Sequence, residues 1–386
     1  MKLLFWSLLV LIFYTYLGYP LLLWLLSLLA RRDVLKKPIT PYVSVVISAL
    51  NEEDRIGARL ENLLAQRYPS GLLEIIIVSD GSTDRTGDIV AAYRENNVRL
   101  LSLPCRNGKA LALNLGIAEA RGEIILFADA RQRFEPDVVA ELVANFNDST
   151  VGCVSGELKF VQNEDSFILV EMGTYWKYEK WIRKMESLSG SVVGATGAIY
   201  AIRKSCYRPL RAGTLIDDVL TPLNCVLQGY RTVFDESAVA YDTTSKGTSQ
   251  EWTRKVRTLA GNWQVLSLNP ALAFPISNPI WWRFTSHKLL RLIIPFALLG
   301  VFFGCLALKE PGYRAILTAQ VMFYSVALLT WFTPHLKSNK IASLISFFVI
   351  MNVAALAGFW CWVTGRCSTA WQPAENKKRQ NQEVSP

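Results

Sequence analysis

Leu3 to Leu29 contains no charged residue, and this run restricts what the chain can fold into more than any other feature. It exceeds the roughly 20 apolar residues with which a helix crosses a bilayer. Backbone amides in hydrocarbon must bond within their own segment, so the run is expected to be a helix, kinked near Gly18, Tyr19 and Pro20. A secretory signal would carry a shorter apolar core, about 7 to 15 residues, and a small-residue cleavage site; neither fits here. Three more apolar runs, Leu292 to Leu308, Ala315 to Phe332 and Ile341 to Val363, stand near the other end, separated by Lys309 to Arg314 and Thr333 to Lys340. Four spans are expected.

The net charge is +9, from 41 Lys and Arg against 32 Asp and Glu. Much of the excess flanks the apolar runs: Arg31, Arg32, Lys36 and Lys37 after the first, then Arg283, Lys288, Arg291, Lys337 and Lys340. Positive residues collect on the cytoplasmic side of membrane proteins. The placement therefore argues for topology rather than for nucleic acid, and it puts the middle of the chain in the cytoplasm. Arg366, Lys377, Lys378 and Arg379 then fall outside, against the same bias. The resulting division is an N-terminal transmembrane helix (1–30), a cytosolic domain (31–250), interfacial amphipathic helices (251–285), three transmembrane helices (286–365) and a polar tail (366–386). In Glu251 to Leu268, Trp252, Val256, Leu259, Trp263 and Leu266 recur at helical spacing beside Arg254, Lys255 and Arg257. A helix at the bilayer surface and a helix packed on the soluble core both satisfy that pattern. Trp252 and Trp263 are expected to be bilayer anchors.

Only two histidines are present, His287 and His335, both beside apolar runs. That excludes histidine-based zinc sites and triads and leaves carboxylates to do any catalysis. The seven cysteines, Cys105, Cys153, Cys206, Cys225, Cys305, Cys361 and Cys367, form no C-x-x-C pair and read as free thiols in a reducing compartment.

From Pro41 onward, short apolar runs alternate with helical patterns. Val43 to Ser48, Glu74 to Ser79, Val98 to Ser102 and Glu123 to Ala128 read as strands, with helices starting near Glu53, Thr83, Gly108 and Glu135. The alternation predicts a parallel α/β sheet, and ligands of such sheets bind where strands end. Those ends are polar. Asn51 and Glu52 follow the first strand; Asp80-Gly81-Ser82-Thr83 follows the second, as a binding turn or an ordinary capped one. Lys109 follows the third, as a phosphate ligand or a solvated side chain. Asp129 follows the fourth, placed for a divalent ion or a sugar hydroxyl. Further on, Asp217-Asp218 opens an apolar helical stretch, as paired catalytic carboxylates or a plain helix start. Trp176, within the aromatic stretch Tyr175, Trp176, Tyr178 and Trp181, reads as a sugar platform or as packing.

Over about Pro41 to Asn262, together with the flanking apolar runs, the chain resembles the membrane-bound family-2 glycosyltransferases related to cellulose, hyaluronan and poly-N-acetylglucosamine synthases. The resemblance implies an A-type, Rossmann-like cytosolic domain with N- and C-terminal transmembrane helices. It further implies that Asn51 and Glu52 lie at the nucleotide base, Asp80 at the nucleoside, and Lys109 beside the diphosphate. Asp129 would be the first carboxylate of the Asp-x-Asp motif and hold Mg2+ or Mn2+. Gly194 to Ala198, with Thr196 and Gly197, looks like the loop under the acceptor sugar, and Asp217-Asp218 like the acidic pair whose second member is the base. The chain departs from the pattern at three places. Leu50 replaces an aromatic, Arg131 replaces the second metal-motif carboxylate and could itself supply positive charge, and Arg254 to Thr258 retains only Arg257 of Gln-x-x-Arg-Trp.

The expected protein is an inverting, multi-pass hexosyltransferase of a bacterial inner membrane. It would move a sugar from a nucleotide sugar, UDP-linked by resemblance, to a polysaccharide or lipid-linked glycan. Because Thr258 lacks the synthases' tryptophan ring, one or a few additions are expected rather than a long chain. The competing expectation is a catalytically silent subunit of an export complex that binds a nucleotide sugar.

Overall fold

The computed structural model describes residues 1–161, 168–243 and 248–367; Lys377, Lys378 and Arg379 of the tail lie outside them. Lys2–Phe13 (α1) and Tyr19–Leu29 (α2) are joined by a single π turn, Tyr14–Gly18. The expected kink is thus one widened turn. Pro20 stands in the first turn of α2, where its missing amide leaves no bond unmade.

Val43–Ala49 (β1) reads Val-Ser-Val-Val-Ile-Ser-Ala and is buried along almost its whole length. β-branched residues suit a pleated strand, and burial on both faces marks the centre of a sheet covered by helices. Ile56–Leu64 (α3) turns Ile56, Leu60 and Leu63 inward, one helical face. The chain continues through Leu73–Asp80 (β2), Thr86–Ala91 (α4), Val98–Leu103 (β3), Lys109–Glu119 (α5) and Ile124–Ala128 (β4). Arg133–Phe134 (β5), Val138–Ala144 (α6), Val151–Val161 (β6), Ile168–Ser189 (α7), Ile199–Arg203 (β7), Asp217–Leu227 (α8) and Arg231–Thr243 (β8) complete the domain.

The sheet order is β3-β2-β1-β4-β7-β6-β8-β5. Its first four strands are parallel, as expected, but β7 runs antiparallel to both β4 and β6. The sheet is therefore mixed. The strand-helix alternation that demands parallel crossovers stops near Glu135, and the strands beyond it are free to pair in either direction.

Thr248–Leu268 (α9), Trp281–Phe284 (α10), Leu290–Ala307 (α11), Pro311–Phe332 (α12), Pro334–Lys337 (α13) and Lys340–Val363 (α14) follow. Four helical lengths, Lys2–Leu29, Trp281–Ala307, Pro311–Phe332 and Lys340–Val363, are long and apolar enough to cross a membrane. Their packing differs. α1 meets α11 where Gly300 and Gly304 admit Leu8 and Phe5; a Cβ on Gly304 would lie 2.9 Å from the Phe5 ring. α2 instead packs on α7 of the domain, with Tyr19 and Leu23 against Ile182 and Met185. α14 lies along α9 and α7: Phe347 meets Tyr175, Gly358 meets Ala260 and Leu259, and Trp362 stacks on Trp263. α9 is sandwiched, since Gly261 on its other side abuts Ile216. Trp263 is accordingly a packing residue and not a bilayer anchor, while Trp252 stays exposed.

Not every cysteine is free. Cys361 and Cys367 are paired, because the chain reverses at Gly365 (φ +66°) and returns Cys367 to a Cα separation of 5.1 Å from Cys361. Cys105, Cys153, Cys206, Cys225 and Cys305 remain thiols.

Candidate active site

The carboxyl ends of β1, β2 and β4 and the loop after β3 converge on one edge of the sheet. Asn51 adopts φ +54°, a left-handed conformation that asparagine tolerates, and its Oδ1 accepts from the Thr83 amide at 2.9 Å. Buried Glu52 donates its amide to the Thr86 hydroxyl and accepts from Arg55 at its carboxylate. Burial pushes its carboxyl above the ordinary range. Asp80 uses both oxygens on the next loop, accepting from the amides of Asn107 (2.7 Å) and Gly108 (2.8 Å). Its carboxylate is buried and committed. In this structure it fixes the turn that launches Lys109. Gly81 permits that closeness, for a Cβ there would lie 2.7 Å from the Arg106 amide, and φ is +71°.

Lys109 is the hub. Its ammonium lies 3.2 Å from Asp129 and 3.4 Å from Asp217, joining β4 to the start of α8. Burial works against its charge, but Asp129, Asp217 and Asp218 together hold its pKa above the ordinary lysine value. Tyr200 donates to Asp217 at 3.3 Å. Asp218, the next residue, lies under the Gly194 to Ala198 loop: the Ala195 amide donates to its carbonyl at 2.7 Å, and a Cβ on Gly197 would stand 2.8 Å from its Oδ2. Burial and the charge of Asp217 raise the pKa of Asp218, against Lys109, Lys288 and Arg183. A carboxylate tuned upward is a better proton acceptor.

Arg257 on α9 completes this group. Its Nε is buried without a partner. Burial lowers its pKa, as does Arg254, while Asp218, Asp217 and Asp129 act in the other direction. Arg131, by contrast, is spoken for: its guanidinium lies 2.5 Å from the fully buried Asp242 of β8, which Gln132 also contacts at 2.9 Å. It is not a spare charge for a diphosphate. Asp242 is the residue that sequence reasoning missed here, since nothing at that strand end distinguishes it from an ordinary polar terminus.

On the other side of the Gly194 to Ala198 loop is a cleft lined by Glu157, Trp176, Lys180, Arg183 and Thr196. Trp176 donates its indole to the Leu158 carbonyl and presents its ring to Arg183. Arg183 donates to Thr196 Oγ1 at 2.7 Å. Arg183 was also unmarked in the sequence, although it falls two helical turns after Trp176 and so shares its face.

Among the described residues no three His, Cys, Asp or Glu side chains surround a metal-sized space. Asp129 and Asp217 do face a single cation, the ammonium of Lys109. A hard divalent ion that keeps few protein ligands and completes its shell with phosphate oxygens fits Asp129 as its one motif carboxylate.

A mixed sheet whose parallel half gathers carboxylates and a lysine at its strand ends is the architecture of the A-type glycosyltransferase fold. Residues 44–210 match the model for glycosyl transferase family 2. It is 27% identical over 230 residues to the poly-β-1,6-N-acetyl-D-glucosamine synthase of Staphylococcus aureus, covering 58% of this chain and 55% of that one. With the probable glycosyltransferase YdaM of Bacillus subtilis it shares 30% identity over 247 residues, 58% and 56% of the two chains. The alignments thus span just over half the length of these relatives. The fold matches the mannosyltransferase PcManGT from Pyrobaculum calidifontis, solved with GDP-Man and Mn2+, with a TM-score of 0.73 at 22% identity over 94% of this chain and 99% of that one.

Proposed function

We propose that this protein is an inverting hexosyltransferase that takes a sugar from a UDP-linked donor at the cytoplasmic face of a membrane and adds it to a polysaccharide or lipid-linked glycan. The observation that carries this reading is the position of Asp218, held beneath Gly197 on one side and linked through Asp217 and Lys109 to Asp129 on the other.

An acceptor hydroxyl lying over the Thr196-Gly197 loop gives its proton to Asp218 as its oxygen bonds to the anomeric carbon. The bond from that carbon to the diphosphate breaks, and the electron pair leaves on phosphate oxygen. Lys109 and Arg257 stabilise the charge that develops there. A single displacement inverts the anomeric centre, and the name of the Staphylococcus aureus relative describes a β-linked polymer. Asn51 and Glu52 bound the nucleoside side, and Asp80 supports it by fixing Asn107 and Gly108. Asp129 would hold Mg2+ or Mn2+, which supplies charge neutralisation for the leaving diphosphate; the neighbour PcManGT was solved with Mn2+.

The test is release of nucleoside diphosphate from detergent-purified protein offered a panel of nucleotide sugars. Release with one UDP-sugar, dependent on Asp218, is the expected result. Silence with every donor would return the chain to the role of a binding subunit.

A further inference from the structure

Helix α7 carries two stripes that meet different parts of the molecule. Trp176, Lys180 and Arg183 line the cleft beside the Gly194 to Ala198 loop. Glu179 and Glu186, about two helical turns apart, face the root of the apolar length Trp281–Ala307 instead. Buried His287 lies between them, its Nε2 2.7 Å from Glu179 and its Nδ1 2.8 Å from Glu186. An ionised carboxylate only accepts, so both ring nitrogens carry protons and the ring is an imidazolium. Burial works against both carboxylates, yet the charge of His287 holds each below the ordinary range.

The grip extends along both helices. Arg291 donates to the second oxygen of Glu179 at 2.8 Å, and Arg283 donates to the Ser189 carbonyl at the end of α7 at 2.6 Å. Arg283, His287 and Arg291 stand at i, i+4 and i+8, a spacing that drifts about 40° per step around a plain α-helix. The π turn Thr285–Leu289, which holds His287, is wider and takes up that drift. The π turn Tyr14–Gly18 meets it: the hydroxyls of Tyr14 and Ser286 are 2.7 Å apart, and Tyr19, just beyond, donates to Glu186 at 2.5 Å. The widened turns of two apolar lengths thus converge on α7.

Adhesion does not require these charges, because Tyr19 and Leu23 already pack on Ile182 and Met185. Buried ion pairs add little net stability over apolar packing; what they can add is a single register. Register matters here. Arg183 falls between the two glutamates, one turn from each, and donates to Thr196 at 2.7 Å. Thr196 directly precedes Gly197, on which a Cβ would stand 2.8 Å from Asp218 Oδ2. Turning α7 about its axis moves Arg183, and the loop with it.

We propose that His287 is a positioning residue for transfer: its two-sided bond to Glu179 and Glu186 fixes the rotation of α7, and through Arg183 and Thr196 that rotation sets the loop over Asp218. This rests on the transferase reading above and adds to it a residue that touches neither donor nor acceptor.

The experiment measures amide hydrogen exchange of the full chain in detergent, with UDP binding in parallel. H287Q keeps a neutral donor toward Glu179 and leaves Glu186 bonded to Tyr19 alone among the described residues; H287Q combined with E186Q removes the stranded charge. In H287Q the Ala195 and Thr196 amides should exchange about tenfold faster or more, while those of Asn107 and Gly108 and the affinity for UDP stay as in the wild type. With the nucleotide sugar found by the donor screen, kcat should fall roughly tenfold to a hundredfold, as small misplacements do, with the donor KM unchanged. The double variant should recover most of both losses. R183Q leaves the joint intact and cuts its link to the loop, so it should speed the same two amides without lowering Tm. Wild-type exchange at Ala195 and Thr196 in H287Q or R183Q, or a loss spread equally over Asn107 and Gly108, would overturn the positioning role. A double variant as disturbed as H287Q would show that the charge is not what holds α7. Exchange needs no turnover, so a silent donor screen beside localised exchange would sink the transferase reading alone.

Discussion

Asp218 is the residue on which the proposed chemistry turns. Asp218→Asn keeps the shape and removes the proton acceptor, so transfer should fall by roughly 10²- to 10⁴-fold while UDP binding, followed by calorimetry, is retained. The pH profile carries a second expectation. The base must be ionised and its pKa is raised, so activity should be lost as pH falls, with a midpoint above the ordinary aspartate value of about 3.9. Asp217→Asn removes one cause of the elevation and should move that midpoint to lower pH; a midpoint that does not move would show that Asp217 does not tune the base. For the ion, Asp129→Ala and chelation by EDTA should reduce transfer together, and full activity after chelation would leave Lys109 and Arg257 as the only neutralising groups. Asp80 and Asp129 stood out in the sequence because each directly follows an apolar run, where an α/β sheet exposes its ligands; Lys109 comes only after the turn that follows β3, and Asp217-Asp218 opens an apolar stretch instead of ending one. The pairing of Arg131 with Asp242 was not, since the two are 111 residues apart in sequence and meet only when β5 joins β8.

Helix periodicity showed that Glu251 to Leu268 has an apolar face but could not say what covers it. A stripe facing lipid and a stripe facing another helix have the same composition. The structure covers it with α14, and the contact is close: a Cβ on Gly358 would lie 2.9 Å from the Ala260 amide nitrogen and 3.1 Å from the Val256 carbonyl. Gly358→Leu should therefore push α14 away from α9 and disturb Arg257, which neighbours Val256. The expected outcome is a lowered Tm together with reduced transfer, although residue 358 touches no proposed ligand. Normal turnover in that variant would show that α9 keeps its place unaided. The four strand positions at the front of the sheet were read within a residue or two, whereas the reversal at β7 depends on pairings that no local pattern encodes.

At the scale of the molecule, the apolar runs predicted four equivalent spans, and the structure makes them unequal. α14 has the largest buried share, 44% of its most apolar window against 11% for α12, and follows α9 from Phe347 near Lys255 to Trp362 at Trp263. A reporter in the Lys309 to Arg314 loop should read opposite to the catalytic domain and one in the Thr333 to Lys340 loop should read with it. A reporter after Gly365 should also read with the domain, which would return the basic tail to the side that positive charge prefers. A reading opposite to the domain would restore the fourth crossing. The grip of α14 on α9 also bears on how the protein can be handled. Arg257 owes its location to a helix braced from behind by the last apolar segment, so a fragment cut after Leu268 to gain solubility would leave that side of α9 bare and its arginine unsupported. Detaching the catalytic unit from its greasy surroundings would dismantle it.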